Sequence, residues 1–138
     1  MSPIRRLLAR ALLVILASAC ALSSVTAGCK RAPTPEEEVH AAALEAMQLL
    51  EQRRFTDFLD RWPAPADKKL LLEGTTLEKR AADFARGPAN KLLDKLRKAS
   101  VDAPKWNEAK TEASFFTGET DPDFVLAKEG GRWYIRNN

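Results

Sequence analysis

The sequence predicts an α+β domain in which helices come first and a curved antiparallel sheet of three or four strands follows. Apolar residues recur at spacings of three and four between about residues 35 and 100, which is typical of helices. Beyond Pro104 the spacing changes to two, which is typical of strands. Gly130-Gly131 then separates two such stretches and indicates a hairpin. A run of helices followed by a run of strands predicts helices packed on one face of the sheet.

The first helix has a complete start signal. Thr34 is expected to cap it, Pro35 suits its first position, and Glu37 completes a capping box. An apolar stripe then continues to about Gln52. The stripe consists of Val39, Ala42, Ala43, Ala46, Met47 and Leu50.

A second helical stripe covers residues 55–62 and ends before Pro63, which cannot continue a helix. Asp67 is expected to cap a short turn that Gly74 ends. The helical part of the chain thus extends well beyond its first two elements.

A second capping box is predicted at Thr75 and Glu78. Gly87-Pro88 is interpreted as the end of the helix that follows this box. One more helix, marked by leucines and an alanine over residues 92–99, precedes the strands.

The strands are predicted in three stretches. Residues 105–116 alternate as one strand, and residues 117–122 form a polar loop. Residues 124–128 and 132–136 flank the glycine pair as a hairpin.

The first thirty residues resemble the signal peptide and lipobox of a bacterial lipoprotein. Three arginines lie within the first ten residues, an apolar run covers residues 11–22, and small residues at 25–28 lead to Cys29. Thr26 departs from the leucine that is usual at its position. The resemblance implies cleavage between Gly28 and Cys29 and a diacylglycerol on Cys29. The chain would then consist of a signal peptide (1–28), a lipidated cysteine with a short tether (29–33) and a domain (34–138).

Two other interpretations of this segment stay open. An ordinary secretory signal could be cleaved after Ala19 or Ala27, which would give a soluble periplasmic or secreted protein. A retained membrane anchor needs about 20 apolar residues, and residues 11–27 fall short of that. If the lipoprotein interpretation holds, Lys30 after Cys29 favours the outer membrane over the inner one, by resemblance to other lipoproteins.

Charge and cysteine content support export. The chain has 22 Lys and Arg against 19 Asp and Glu, but three arginines and no acidic residue precede Cys29. The mature chain is therefore formally neutral, which argues against nucleic acid as a partner. Cys20 would be discarded with the signal, so Cys29 would stay alone and no disulfide would form. A lipid on Cys29 would also remove a reactive thiol from an oxidising compartment.

Residues 34–136 resemble the nuclear transport factor 2-like superfamily, in particular its small lipoprotein domains of unknown function. The likeness lies in a Pro-Glu-Glu-x-Val helix, an aromatic-Thr-Asp-Phe helix and a closing hairpin with Lys128, Gly131 and Trp133. It implies a cone of helices and bent sheet that often encloses a pocket. The helical stretch from 65 to 100 is longer than the minimal family pattern.

Candidate catalytic groups are few. His40 is a potential general base, but it stands beside the apolar stripe and is expected on a helix flank. Asp57 and Asp60 lie one helical turn apart among arginines, so we expect a salt-bridged surface. Asp121 and Asp123 are too few to hold calcium. We therefore expect no enzyme activity, no cofactor and no metal.

Aromatic residues offer the remaining functional signal, because most would form the core and some could line an apolar pocket. The candidate lining residues are Trp62, Phe84, Trp106, Phe115 and Tyr134. The expected function is that of an envelope lipoprotein, bound to the membrane by its lipid, whose domain binds a small apolar or amphipathic ligand or a partner protein. The alternative is an isomerase-like or dehydratase-like enzyme that uses the cone pocket.

Overall fold

The computed structural model describes residues 31–116 and 124–136, in which five helices precede a four-stranded antiparallel sheet. This confirms the α+β class with the sheet at the C-terminal end. Apart from Arg31, the described residues belong to the compact unit formed by residues 32–138. The elements are α1 (Pro35–Glu51), α2 (Phe55–Arg61), α3 (Pro65–Leu71), α4 (Leu77–Ala85), α5 (Pro88–Ala99), β1 (Lys105–Trp106), β2 (Glu112–Phe115), β3 (Phe124–Glu129) and β4 (Arg132–Arg136).

The start of α1 confirms the predicted capping box. The Glu37 backbone N–H donates to Thr34 Oγ1 at 3.2 Å, and the Thr34 N–H donates to Glu37 Oε2 at 2.6 Å. Both bonds satisfy backbone donors that a helix start otherwise leaves unpaired.

Two predicted caps are wrong by a few residues. Ala64 stands at the cap of α3 and Pro65 at its first position, so Asp67 lies inside this helix rather than at its start. Thr76, not Thr75, caps α4 by accepting a hydrogen bond from the backbone of Lys79 at 3.3 Å. With two adjacent threonines, the backbone path decides which hydroxyl reaches the first turn.

The helix predicted to end at Gly87-Pro88 does end there, and the same pair also starts the next helix, which the prediction placed further along the chain. Arg86 closes α4, Gly87 is the N-cap of α5 and Pro88 is its first residue. Proline suits the first turn of a helix because that position needs no backbone N–H. A Gly-Pro pair in a sequence is therefore consistent with the end of one helix and with the beginning of the next.

The predicted strand over residues 105–116 is two strands joined by a turn, so that prediction is also wrong. Asn107 Oδ1 accepts hydrogen bonds from the backbone N–H groups of Thr111 at 2.9 Å and Glu112 at 3.0 Å. Lys110 takes a positive φ of 56° within this turn. The hydrogen bonds of the Asn107 side chain thus favour a turn at this point over a continuous strand.

The closing hairpin is confirmed. Gly130 and Gly131 have φ values of 57° and 79°, the left-handed conformation that a two-residue hairpin turn requires. The sheet order is β1-β2-β3-β4, and every neighbouring pair is antiparallel. Residues 117–122, which were predicted to form a loop, lie outside the described residues.

The core lies between the helices and one face of the sheet, which we call the inner face. Leu126 on β3 is fully buried, and its register partners Ala113 and Ile135 bring neighbouring side chains to the same face. From the helical side, Val39, Trp62 and Leu96 are also fully buried. No helix within residues 31–116 and 124–136 is long and apolar enough to cross a membrane.

The opposite, outer face of the sheet is covered by side chains of its own strands. Val125 and Ala127 on β3 are only 3% and 4% exposed. Their register partners include Arg136 on β4 and Glu112 on β2, which form an ion pair of 2.8 Å across β3. Long charged side chains can bury small apolar residues in this way while their charges stay in water.

The free edge of β4 is covered by the end of α2. The Ile135 backbone N–H donates to the Trp62 carbonyl at 2.8 Å, next to a parallel bridge between Pro63 and Ile135. Arg61 Nη1 donates to the Trp133 carbonyl at 3.1 Å. These contacts satisfy edge groups that could otherwise pair with another chain.

Candidate functional site

The five aromatic residues predicted to line a pocket occupy different parts of the domain. Trp62 and Phe115 are buried in the core. Phe84 is half-buried and stacks on Phe58 with ring centroids 5.5 Å apart. Their role in a pocket stays a prediction.

The other two predicted lining residues lie on opposite faces of the sheet. Trp106 is on the inner face, and its ring meets that of Trp133 with centroids 6.1 Å apart. Tyr134 is on the outer face, as the alternation along β4 requires. None of the five lines the groove described below.

His40 makes a structural contact. Its Nε2 donates to the Asp102 carbonyl at 3.0 Å and so links α1 to the segment that precedes β1. The side chain is partly exposed, as expected of a helix flank.

The salt-bridged surface predicted around Asp57 and Asp60 is present. Asp57 Oδ2 lies 2.7 Å from Arg54 Nε, and the Asp60 carboxylate accepts a hydrogen bond from Lys68 Nζ. This hydrogen bond and the charge of Lys68 lower the pKa of Asp60, and Arg132 adds to the effect. In the sequence, an arginine stands next to Asp60. In the structure, the partner of Asp60 is instead Lys68, which comes from α3.

An open groove of about 480 Å³ lies between α1 and α2. The α1 side presents residues spaced as i, i+3, i+4 and i+7, and the α2 side presents i, i+3, i+6 and i+7. Each set thus forms one stripe along its helix. The lining residues are Glu45, Gln48, Leu49, Gln52, Arg54, Asp57, Asp60 and Arg61.

The groove is chemically polar. It carries three carboxylates and two guanidinium groups around one leucine. A lining of this kind offers hydrogen bonds and charge rather than apolar burial. The sequence analysis missed it, although the polar spacing along residues 45–52 was a usable signal.

Arg61 connects the groove to the sheet. Its Nε lies 3.8 Å from Glu45 Oε1, and its guanidinium carbon lies 4.3 Å above the Trp62 ring. Burial lowers the pKa of Arg61, and the positive charge of Arg132 lowers it further, while Glu45 and Tyr134 act in the opposite direction. The residue therefore stays cationic but is held beside a second cation.

A second charged cluster joins α1 to the hairpin. Lys128 Nζ donates to Glu38 Oε2, and both side chains are less than one-third exposed. This hydrogen bond lowers the pKa of Glu38; burial acts against it, and the Trp133 indole adds to the lowering. The Trp133 indole nitrogen is buried and has no hydrogen-bond partner within the described residues.

Within residues 31–116 and 124–136, no group of three or more His, Cys, Asp or Glu side chains is placed to hold a metal ion. Cys29, Gly28, Asp121 and Asp123 lie outside the described residues. The chain matches no protein-family model, no curated protein and no solved structure.

Proposed function

We propose that this chain is a bacterial envelope lipoprotein, anchored through Cys29, whose domain docks a partner protein beside the membrane. The observation that carries the docking role is the open polar groove between α1 and α2. The anchor follows from the basic start, the apolar run and the small residues before Cys29.

The tether supports a role close to the membrane. Residues 30–33 separate Cys29 from the cap of α1 at Thr34, and an extended segment of that length spans about 15 Å. Two acyl chains on Cys29 would give stable anchoring, since one chain binds only reversibly. The domain would then work within reach of membrane neighbours.

The groove suits a polypeptide partner better than a small apolar ligand. A small apolar ligand needs a largely enclosed apolar site. The groove instead offers polar side chains from Glu45 to Arg61 along an open surface. Protein interfaces of this type combine hydrogen bonds with charge complementarity.

The fold is consistent with a nuclear transport factor 2-like domain. Helices that precede an antiparallel meander match the expected order of elements. The matching hairpin residues Lys128, Gly131 and Trp133 lie on β3, in the turn and on β4. This likeness supports a binding role, since the superfamily often uses its sheet and helices to receive a ligand or partner.

The anchor is tested by Cys29→Ser, with Cys20→Ser as the matched control in the signal segment. The parent and Cys20→Ser are expected in the membrane fraction with acyl mass on the mature chain. Cys29→Ser is expected to stay unprocessed or become soluble. If Cys29→Ser fractionates with membranes as the parent does, and the parent has no acyl addition, the anchor proposal fails.

The docking role is tested by a photo-crosslinking residue at Gln48, in the groove, and by one at Glu78, on exposed α4. We expect a discrete cross-linked species in intact cells from position 48 only. Charge reversal by Asp57→Lys should remove that species, because it inverts the charge of the groove wall. Equal cross-linking from both positions, or no effect of Asp57→Lys, would contradict the proposal.

A further inference from the structure

Two guanidinium groups lie near one aromatic ring, that of Tyr134, on the outer face of the sheet. The guanidinium carbon of Arg61 lies 6.0 Å from the Tyr134 ring centroid, and that of Arg132 lies 5.9 Å from it. Tyr134 is half-buried, and Arg132 is exposed. We call these three residues the Arg–Tyr–Arg cluster.

The cluster has a local excess of positive charge. Arg132 forms no ion pair with any residue in the described ranges, although its charge lowers the pKa of nearby Asp60. The Asp60 carboxylate is already bound by Lys68. Glu45 approaches Arg61 at 3.8 Å, at the outer limit of an ion pair. The two arginines are close enough for the charge of Arg132 to lower the pKa of Arg61.

Like charges held together in this way are stabilised by an anion between them. Guanidinium groups bind phosphate oxygens through paired N–H donors, and a tyrosine hydroxyl adds a further donor. Each of the two guanidinium carbons lies within 6.0 Å of the Tyr134 ring centroid, and the hydroxyl of this ring is such a donor. The shared chemistry of the three side chains is therefore that of a phosphate site.

We propose that the Arg–Tyr–Arg cluster binds the phosphate headgroups of anionic membrane lipids. This inference rests on the proposed anchoring, because a domain held within about 15 Å of a bilayer has headgroups as its nearest anions. Basic residues at a membrane surface are attracted to anionic lipids. This attraction falls off with distance from the surface over about one Debye length. The cluster would give the domain a second contact with the membrane beside its lipid.

The test uses the chain from Lys30 onward, without signal peptide or Cys29, because the described core lies within the compact unit 32–138. We expect it to sediment with vesicles of phosphatidylcholine and phosphatidylglycerol, and not with vesicles of phosphatidylcholine alone. Arg132→Gln should weaken this partition about fivefold, since one basic contact is lost. Arg86→Gln is the matched control, because Arg86, which follows the last residue of α4, is exposed and pairs with Asp83.

Three outcomes would overturn the proposal. In the first, the parent chain does not bind anionic vesicles. In the second, the two arginine variants lose binding equally, which would indicate a general charge effect. In the third, the chain binds inorganic phosphate in a way that needs Arg132 but does not bind vesicles, which would point to a free anion instead. Melting temperatures of both variants must match the parent, and Tyr134→Leu provides a second variant that should weaken the same binding. Because lipidation is absent from this experiment, its failure is distinct from a failure of the Cys29 test.

Discussion

Glu38 shows how one carboxylate ties the first helix to the last hairpin. It stands in the first turn of α1, where the helix dipole favours an anion, and it binds Lys128 at the end of β3. The partly buried position limits the access of water to this pair. The contact therefore holds the two halves of the domain against each other.

We expect Glu38→Gln to lower the free energy of unfolding by about 1 kcal/mol at neutral pH, because it removes the ion pair and leaves the shape unchanged. The folded-state pKa of Glu38 lies below its ordinary value of 4.5. Its ionised form therefore stabilises the fold above about pH 4.5, and that contribution disappears as the pH falls through the lowered pKa.

Urea denaturation at pH 7 and at acidic pH checks this prediction. The gap between parent and Glu38→Gln should be present at pH 7 and should narrow in acid. Glu36→Gln is the matched control, since Glu36 is an exposed residue in the same helical turn. A gap that stays constant with pH, or that equals the effect of Glu36→Gln, would contradict the assignment.

Asn107 is a second residue whose side chain shapes the backbone. Its Oδ1 accepts from two backbone N–H groups, at Thr111 and Glu112, and so closes the turn between β1 and β2. We expect Asn107→Ala to cost about 1–2 kcal/mol of stability, because both donors lose a partner. Glu108→Ala in the same turn should cost less than half as much. Thermal melts of the two variants measure the difference.

At the scale of elements, the sequence was informative where a signal is local. The capping box at Thr34 and the glycine pair at 130–131 were predicted and are present, because each depends on residues next to each other in the chain. The caps of α3 and α4 were misplaced because Asp67 and Thr75 resemble caps equally well in sequence. The turn at Asn107 was missed because alternation continued across it.

Gly130 gives a prediction for the hairpin. It has a φ of 57°, and an added Cβ would meet no atom within 4 Å. Gly130→Ala should therefore destabilise the domain by about 1 kcal/mol through backbone strain alone. Gly130→Asn should be close to neutral, because asparagine adopts this conformation readily. Equal losses in the two variants, measured by urea denaturation, would contradict the strain argument.

At the scale of the whole molecule, the described residues share one hydrophobic core, and no cysteine lies among them. Leu96 on α5 is completely buried, whereas Leu70 on α3 is 67% exposed. Leu96→Ala should cost about 2–5 kcal/mol, because it removes buried methyl groups and leaves a cavity. Leu70→Ala should change stability by less than about 0.5 kcal/mol. Denaturation midpoints of the two variants, with unchanged denaturant dependence, test this contrast.

The candidate site was less predictable than the fold. The aromatic residues offered as a pocket are dispersed between core and surface, while the groove and the Arg–Tyr–Arg cluster consist of charged residues. Lys68, Arg61 and Arg132 come from different elements and meet only after folding. A sequence shows the spacing of charges along one helix but not their neighbours on another.

The sequence by itself determined the α+β class, the boundaries of the first two helices, the closing hairpin and the hypothesis of a lipid anchor. These features depend on periodicity, on caps and on short motifs, which act over a few residues. The tertiary structure decided which charges pair, which aromatic residues form the core and where an open groove remains. Those features depend on contacts between residues far apart in the chain, such as Glu38 with Lys128 and Arg61 with Trp133. Packing creates such contacts, and no local pattern specifies them.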